Sequence, residues 1–282
     1  MTSPSANVKS RGDQFATRLE TKITHETPNR DNPYQVECLR MHGYEHTALM
    51  EKCEFSAVIF LLFRGELPNN TESELFKQLC IALINPGPRH PATQGSMVAG
   101  VGKTISVNVL PIALSLYGGD YDSAGDVEAA MRLFRRKSRK PASAFVDTIS
   151  HGDGNDKGDA NDEETLPGFG TLYGDPDAYA RKLLEHFATL SPTPVIQWLL
   201  AANSLLAEHT IGVTKAGVCA AVLADLGFLP RQGCGLMQLM AAPGLLAHGV
   251  EYANKPITSM LFESDDNYEI ETTENTLNGG KE

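Results

Sequence analysis

Basic side chains are in short supply in this sequence. Its 282 residues hold 24 Lys and Arg against 35 Asp and Glu, a formal net charge of -11. That balance argues against nucleic acid or an anionic membrane as the main partner, because phosphate binding there is driven by clustered Lys and Arg. The exception is a local basic strip, Arg132, Arg135, Arg136, Lys137, Arg139 and Lys140. Cysteine is sparse too. Cys38, Cys53, Cys80, Cys219 and Cys234 are odd in number and free of CxxC spacing, which excludes a disulfide scaffold and reads as reduced core thiols in a cytosolic protein. In that setting the Asn69-Asn70-Thr71 sequon carries no meaning. Residues 1–20 lack the apolar stretch of a secretory signal, and apolar runs such as Ala57–Phe63 are too short to cross a bilayer. The expectation is a cytoplasmic protein with no membrane partner.

Alternating strand patterns bounded by hairpin turns are essentially absent, whereas helical spacing recurs along the chain. Ala48, Leu49, Cys53, Phe55, Val58, Ile59, Leu62 and Phe63 repeat at three- and four-residue steps until Gly65-Glu66-Leu67-Pro68. Asn69-Asn70-Thr71 supplies caps for a helix through Leu83, and Asn85-Pro86-Gly87-Pro88 breaks it because proline cannot continue a helix. Met97–Leu116 is apolar with small residues and belongs deep in a core. Further helical patterns cover Asp126–Phe134, Ala178–Leu190, Val195–Glu208, Lys215–Leu226 and Cys234–Tyr252. Residues 1–32 read as a polar tail, and the acidic, Gly-rich 150–165 as a solvated insert. The fold class is all-α.

Familiar chemical motifs are incomplete. Gly100-Val101-Gly102-Lys103-Thr104 looks like a phosphate loop, but Met97 stands where the pattern needs glycine and no strand precedes it. Asp153, Asn155, Gly158 and Glu164 fall on calcium-loop positions, yet Lys157 occupies a ligand position. Eight histidines form no HExxH or Cys/His cluster, so no metal site is expected; His42 and His46 are spaced to share a helix face but lack a third ligand. No GxSxG elbow is present.

Five ordered blocks carry a different signal. They are His42-Gly43-Tyr44 with Leu62-Phe63-Arg64-Gly65-Glu66-Leu67-Pro68; Asn85 to Thr93, including Arg89-His90; Gly119-Asp120-Tyr121-Asp122-Ser123-Ala124 with Ala129-Ala130-Met131; Pro167-Gly168-Phe169-Gly170 with Asp175-Pro176; and Asp225-Leu226-Gly227-Phe228 with Ala242-Pro243-Gly244-Leu245-Leu246-Ala247-His248. In this order they resemble the citrate synthase and citryl-CoA lyase superfamily over roughly residues 35–255. That resemblance implies an all-α, citrate synthase-like fold and a coenzyme A thioester as substrate or ligand, with no covalently bound cofactor. It also implies a homodimer through core helices, for which Met97–Leu116 and Val195–Leu206 are the candidates. The implied domains are a large helical one, 33–134 with 231–282, and a smaller CoA-binding-like one, 135–230.

The departures from the family pattern bear on chemistry. The family abstracts a proton beside a thioester carbonyl with a carboxylate base and uses histidines at the two carbonyls. Here the first histidine position reads Tyr121 and the second reads Thr171. The carboxylate falls within Val213-Thr214-Lys215-Ala216, which has no acid. Two arginines that clamp substrate carboxylates read Asp177 and Ala241. Losing a general base alone costs about 10²–10⁴ in rate. The glycine turn for the adenine end of CoA (Pro167, Gly168, Phe169, Gly170) persists, with the basic strip available to CoA phosphates. The candidate catalytic set is His90 as base, Arg89 as carboxylate anchor, Tyr121 as enolate hydrogen-bond donor, and Thr171. Two readings stay open: a carbon–carbon synthase or lyase with an altered active site, whose partners are an acyl-CoA or a small organic acid, or an inactive relative that binds CoA or a metabolite as a regulatory or partner subunit.

Overall fold

The computed structural model describes residues 18–150 and 166–268. Residues 1–17, the acidic insert from 151 with its calcium-loop positions, and 269–282 lie outside the described residues. The chain divides into two compact units, 1–73 and 74–282.

In the first unit, β1 (Thr24–Pro28), β2 (Val36–Met41) and β3 (Tyr44–Glu45) form an antiparallel sheet in that order. β1 lies inside the stretch expected to be a polar tail, so the absence of strands is corrected here. Neither face of β1 or β2 is deeply buried, so no alternation marks them in the sequence. The register shifts between Thr27 and Pro28, where proline has no N–H for the ladder. His42 (φ 46°) and Gly43 (φ 90°) make the two-residue turn between β2 and β3, both in the left-handed region such a turn needs. His42 and His46 therefore do not share a helix face, because His46 only begins α1 (His46–Lys52). After a break at Cys53, α2 (Phe55–Arg64) ends at Gly65, whose N–H returns to Leu61 O at 2.8 Å. Asn69 and Glu72 cap α3 (Asn70–Ala82) reciprocally, at 2.9 and 3.0 Å.

In the second unit the apolar Met97–Leu116 stretch is two helices, α4 (Pro91–Val101) and α5 (Ser106–Tyr117). The phosphate-loop look-alike is the junction between them. Lys103 (φ 59°) turns back and its ammonium donates to Ala253 O and Lys255 O at 2.6 and 2.9 Å. It thereby covers carbonyls at the end of α11 (Pro230–Ala253), where a cation suits the helix dipole. α4 crosses α11 so closely that a Cβ on Gly100 would lie 2.1 Å from Gly249 O.

The remaining helices are α6 (Val127–Lys137), α7 (Ala142–Ser150), α8 (Ala178–Leu190), α9 (Pro194–Leu206) and α10 (Lys215–Asp225). α10 is buried without interruption from Ala216 to Ala224, as a helix apolar on every side must be. Its final residue, Asp225, accepts from Thr193 Oγ1, Val195 N and Ile196 N at 2.6, 3.0 and 2.9 Å and so satisfies the start of α9. Burial pushes the Cys219 thiol at the centre of α10 strongly up, so it stays protonated. Two short strands, β4 (Phe169–Gly170) and β5 (Gly212–Val213), pair antiparallel. They anchor the glycine turn, and Phe169 joins a cluster with Phe134, Phe145 and Trp198 at centroid distances of 5.2–5.9 Å. Each such pair contributes about 0.5–1.5 kcal/mol beyond area burial. Helices dominate, as the spacing predicts.

Candidate functional site

His90 is buried and caps α4. Its Nδ1 accepts from Ala92 N at 3.1 Å, so the ring proton resides on Nε2. Nε2 lies 3.1 Å from Asp122 O and 3.0 Å from Ser123 Oγ. The Ser123 hydroxyl donates to Tyr121 O at 2.8 Å, which leaves its oxygen to accept from the imidazole. Both nitrogens of His90 are thus committed to the α5–α6 loop and the α4 cap. Burial lowers its pKa, with Asp122 acting in the opposite direction, so the neutral ring is favoured.

The turn at 167–170 is seated on the start of α10. Gly168 (φ 82°) adopts a left-handed backbone, and a Cβ on Gly217 would lie 2.1 Å from Gly168 O. Both positions require glycine: the first for its conformation, the second for the contact. Gly168 O accepts from Thr214 N at 3.1 Å, and Gly168 N donates to Asp126 Oδ2 at 2.5 Å. Burial raises the Asp126 pKa; the Gly168 N–H opposes this and Asp120 adds to it. The segment where the resemblance puts a carboxylate base is used otherwise. The Thr214 hydroxyl caps α10 at Gly217 N (3.0 Å), and Lys215 pairs with Asp122 at 2.6 Å with both side chains largely buried.

Between this turn and the α5–α6 loop opens a cavity of about 370 Å³. It brings together Tyr121, Thr171, Pro167, Phe169 and Gly170 of the expected set. Arg89, His90 and Gly168 do not line it. Arg89 is exposed at the surface, and His90 lies one layer behind, holding the loop. Four carboxylates complete the lining: Asp120, Asp122, Asp126 and Asp177. Among the described residues no Lys or Arg lines it. Asp177 caps α8 through Oδ1 (Tyr179 N 2.8 Å, Ala180 N 3.2 Å), while its Oδ2 is buried without a hydrogen-bond partner among the described residues. Ala241, the other position where the resemblance puts a clamping arginine, is fully buried in α11. Asp126 and Lys215 escaped the sequence reading, although the D-Y-D-x-x-x-D spacing of 120–126 signals an acidic loop. Among the described residues no group of three or more His, Cys, Asp or Glu is placed to hold a metal ion.

The helical architecture, with its glycine turn beside a cavity, is the fold of the citrate synthase and citryl-CoA lyase superfamily. The particular likenesses are to solved structures, and all are below 25% identity. Citryl-CoA lyase from Hydrogenobacter thermophilus superposes with a TM-score of 0.72 at 20% identity, covering 90% of this chain and 95% of that one. ATP citrate lyase from Methanothrix soehngenii, in complex with citrate and coenzyme A, gives 0.66 at 18%, covering 91% of this chain and 44% of its own. Citrate synthase from Thermoplasma acidophilum, with carboxymethyl coenzyme A and oxaloacetate, gives 0.55 at 17%, covering 77% and 59%. No family model and no curated protein sequence matches the chain.

Proposed function

We propose that this chain takes a CoA thioester in the cavity beside the 167–171 turn. It acts there at the carbon next to the thioester carbonyl, making or breaking a carbon–carbon bond with a partner other than a polycarboxylate. The observation that carries this reading is the open cavity itself, in which hydroxyls and carboxylates stand beside the glycine turn between the apolar walls of Leu166, Phe169 and Leu172. In this reading the Tyr121 phenol donates to the developing enolate oxygen and Thr171 to the partner. The proton acceptor is a carboxylate of the Asp120–Asp126 loop, because His90 has no free nitrogen; His90 and Ser123 are positioning residues. Arg89, outside the lining, is left to the surface.

A second reading, a CoA-binding protein without turnover, is favoured by a specific feature: residues 213–216 present a helix cap and a paired ammonium where a base is expected. Acetyl-CoA in deuterated buffer separates the two. The first reading expects binding by calorimetry together with loss of the methyl proton NMR signal. Binding without exchange leaves the second reading, and absence of binding to acetyl-CoA and free CoA removes both.

The remaining assignments belong to the same proposal. Residues 33–134 with 231–282 make the large helical domain, 135–230 the small one, and the site of action is the cytoplasm. A second copy covers α5, which presents Val107, Ile112 and Leu116 to solvent, whereas most of the apolar face of α9 is buried within its own chain.

A further inference from the structure

Apart from the exposed Arg139, the basic strip divides in two. Arg132 pairs with Glu128 at 2.5 Å, and Arg135 donates to Phe228 O. Those two cations are consumed by the fold. Arg136, Lys137 and Lys140 instead converge on a second cavity of about 270 Å³, walled by Ala144, Phe145 and Thr148 of α7. None of the three makes an ion pair with a described residue, and Lys137 Nζ rests 5.6 Å from the Phe145 ring centroid. Cations at a helix C-terminus are ordinarily explained by the helix dipole. That accounts for their sign but not for three of them enclosing one cavity.

We infer that this cavity is a phosphate-binding site. A guanidinium fork and two ammonium groups match a phosphate monoester or diphosphate better than a singly charged carboxylate, because a phosphate monoester carries about -1.5 to -2 charges and three strong acceptor oxygens; the Thr148 hydroxyl is spent on Phe145 O at 2.6 Å. Its place beside the first cavity is given by the rings: Phe145 walls the basic cavity, Phe169 walls the acidic one, and their centroids are 5.9 Å apart. The two cavities thus share a wall and carry opposite charge. A CoA thioester has the same polarity, with phosphates at one end and an uncharged acyl group at the other. Assigning the phosphates to CoA rests on the function proposed above; the site as a phosphate site does not.

The test uses the whole chain and its Arg136→Gln/Lys140→Gln variant, both residues being exposed. Calorimetry is run with CoA, with S-acetyl-pantetheine, which has no phosphate, and with adenosine 3′,5′-bisphosphate. We expect the variant to bind CoA and the bisphosphate about 10- to 100-fold more weakly, with S-acetyl-pantetheine unchanged, since removing one charge-assisted hydrogen bond weakens binding by up to about tenfold. An Arg136→Lys variant keeps part of the affinity. Unchanged CoA affinity in the double variant overturns the phosphate site and leaves the CoA reading standing. Bisphosphate binding that is abolished in the variant, with no binding of S-acetyl-pantetheine and no advantage for CoA, keeps the site and removes the CoA reading. No binding of any probe ends both.

Discussion

Gly217→Ala probes the contact on which the site is built. The new methyl would lie 2.1 Å from Gly168 O, 2.9 Å from Gly168 C and 3.0 Å from Val213 Cγ2. Two of these are backbone atoms, so no rotamer change relieves them. The turn can retreat only by giving up the Thr214 N–Gly168 O bond (3.1 Å) or the Gly168 N–Asp126 bond (2.5 Å). Overpacking costs about 1–3 kcal/mol. One net hydrogen bond adds about 1 kcal/mol. Replacing glycine within a helix returns about 0.5–1 kcal/mol. The balance is a loss of about 2 kcal/mol, or a Tm lowered by about 4–8 °C for a unit of this size. Gly235→Ala is the control. It sits in α11 with nothing within 4 Å of the added Cβ, so only the helix gain remains and it stabilises by up to about 1 kcal/mol. Thermal melts by circular dichroism read both, and calorimetry with CoA reads the turn. If Gly217→Ala melts with or above the wild type and binds CoA equally, the turn is not seated on α10 and the account of the site fails.

Further outcomes follow from the buried polar groups. Lys215→Met leaves Asp122 largely buried without its counter-charge, at a cost of about 2–3 kcal/mol, and Asp122→Asn in the same chain recovers more than half; denaturant titration of the cycle measures it. The folded His90 pKa lies below its ordinary 6.5. As pH falls the unfolded chain therefore takes up the proton first, and this stability, complete above pH 6.5, is lost as pH falls through the folded pKa. His90→Asn, which still caps α4, is expected to remove that acid-side decline in denaturant midpoints. The folded Asp126 pKa lies above its ordinary 3.8, so its effect runs the other way: stability present at low pH is lost as pH rises through the folded value. Asp126→Asn keeps an acceptor for Gly168 N and is expected to be at least as stable as wild type at pH 7.

The helices were legible because their signals are local. Asn69 with Glu72, the Asn85–Pro88 break, and the apolar steps of α8 to α11 fix where helices run without tertiary information. The strands were not. β1 and β2 bury neither face, and the turn between β2 and β3 uses His42 where asparagine would have announced it. The site was half legible. Pro167, Phe169, Gly170, Tyr121 and Thr171 are positions in a pattern, and all five line one cavity. The employment of His90 depends on Ser123 and Asp122, thirty-odd residues away, and on Nδ1 reaching back to Ala92. Pro91 marks His90 as the residue before a helix, but nothing nearby shows that both ring nitrogens are engaged.

Sequence names the charged residues near this cavity but not where they stand, and that placement decides what the cavity accepts. Asp177 could have pointed to solvent; instead it lines the cavity with Asp120, Asp122 and Asp126, and among the described residues only Asp122 has a cationic partner. Two unit charges roughly 8 Å apart repel by about 2 kcal/mol at an effective dielectric constant of 20. A dicarboxylate meeting three carboxylates without a cationic partner among the described residues therefore faces several kcal/mol of repulsion. Oxaloacetate or citrate added to protein saturated with CoA is accordingly expected to give no saturable heat or thermal shift at millimolar concentration. Neutral or amine-bearing carbonyl compounds are the partners to screen. A saturable response to oxaloacetate that fades with rising salt would mean that a cation reaches this cavity after all, and the carboxylate lining would then be no guide to the partner.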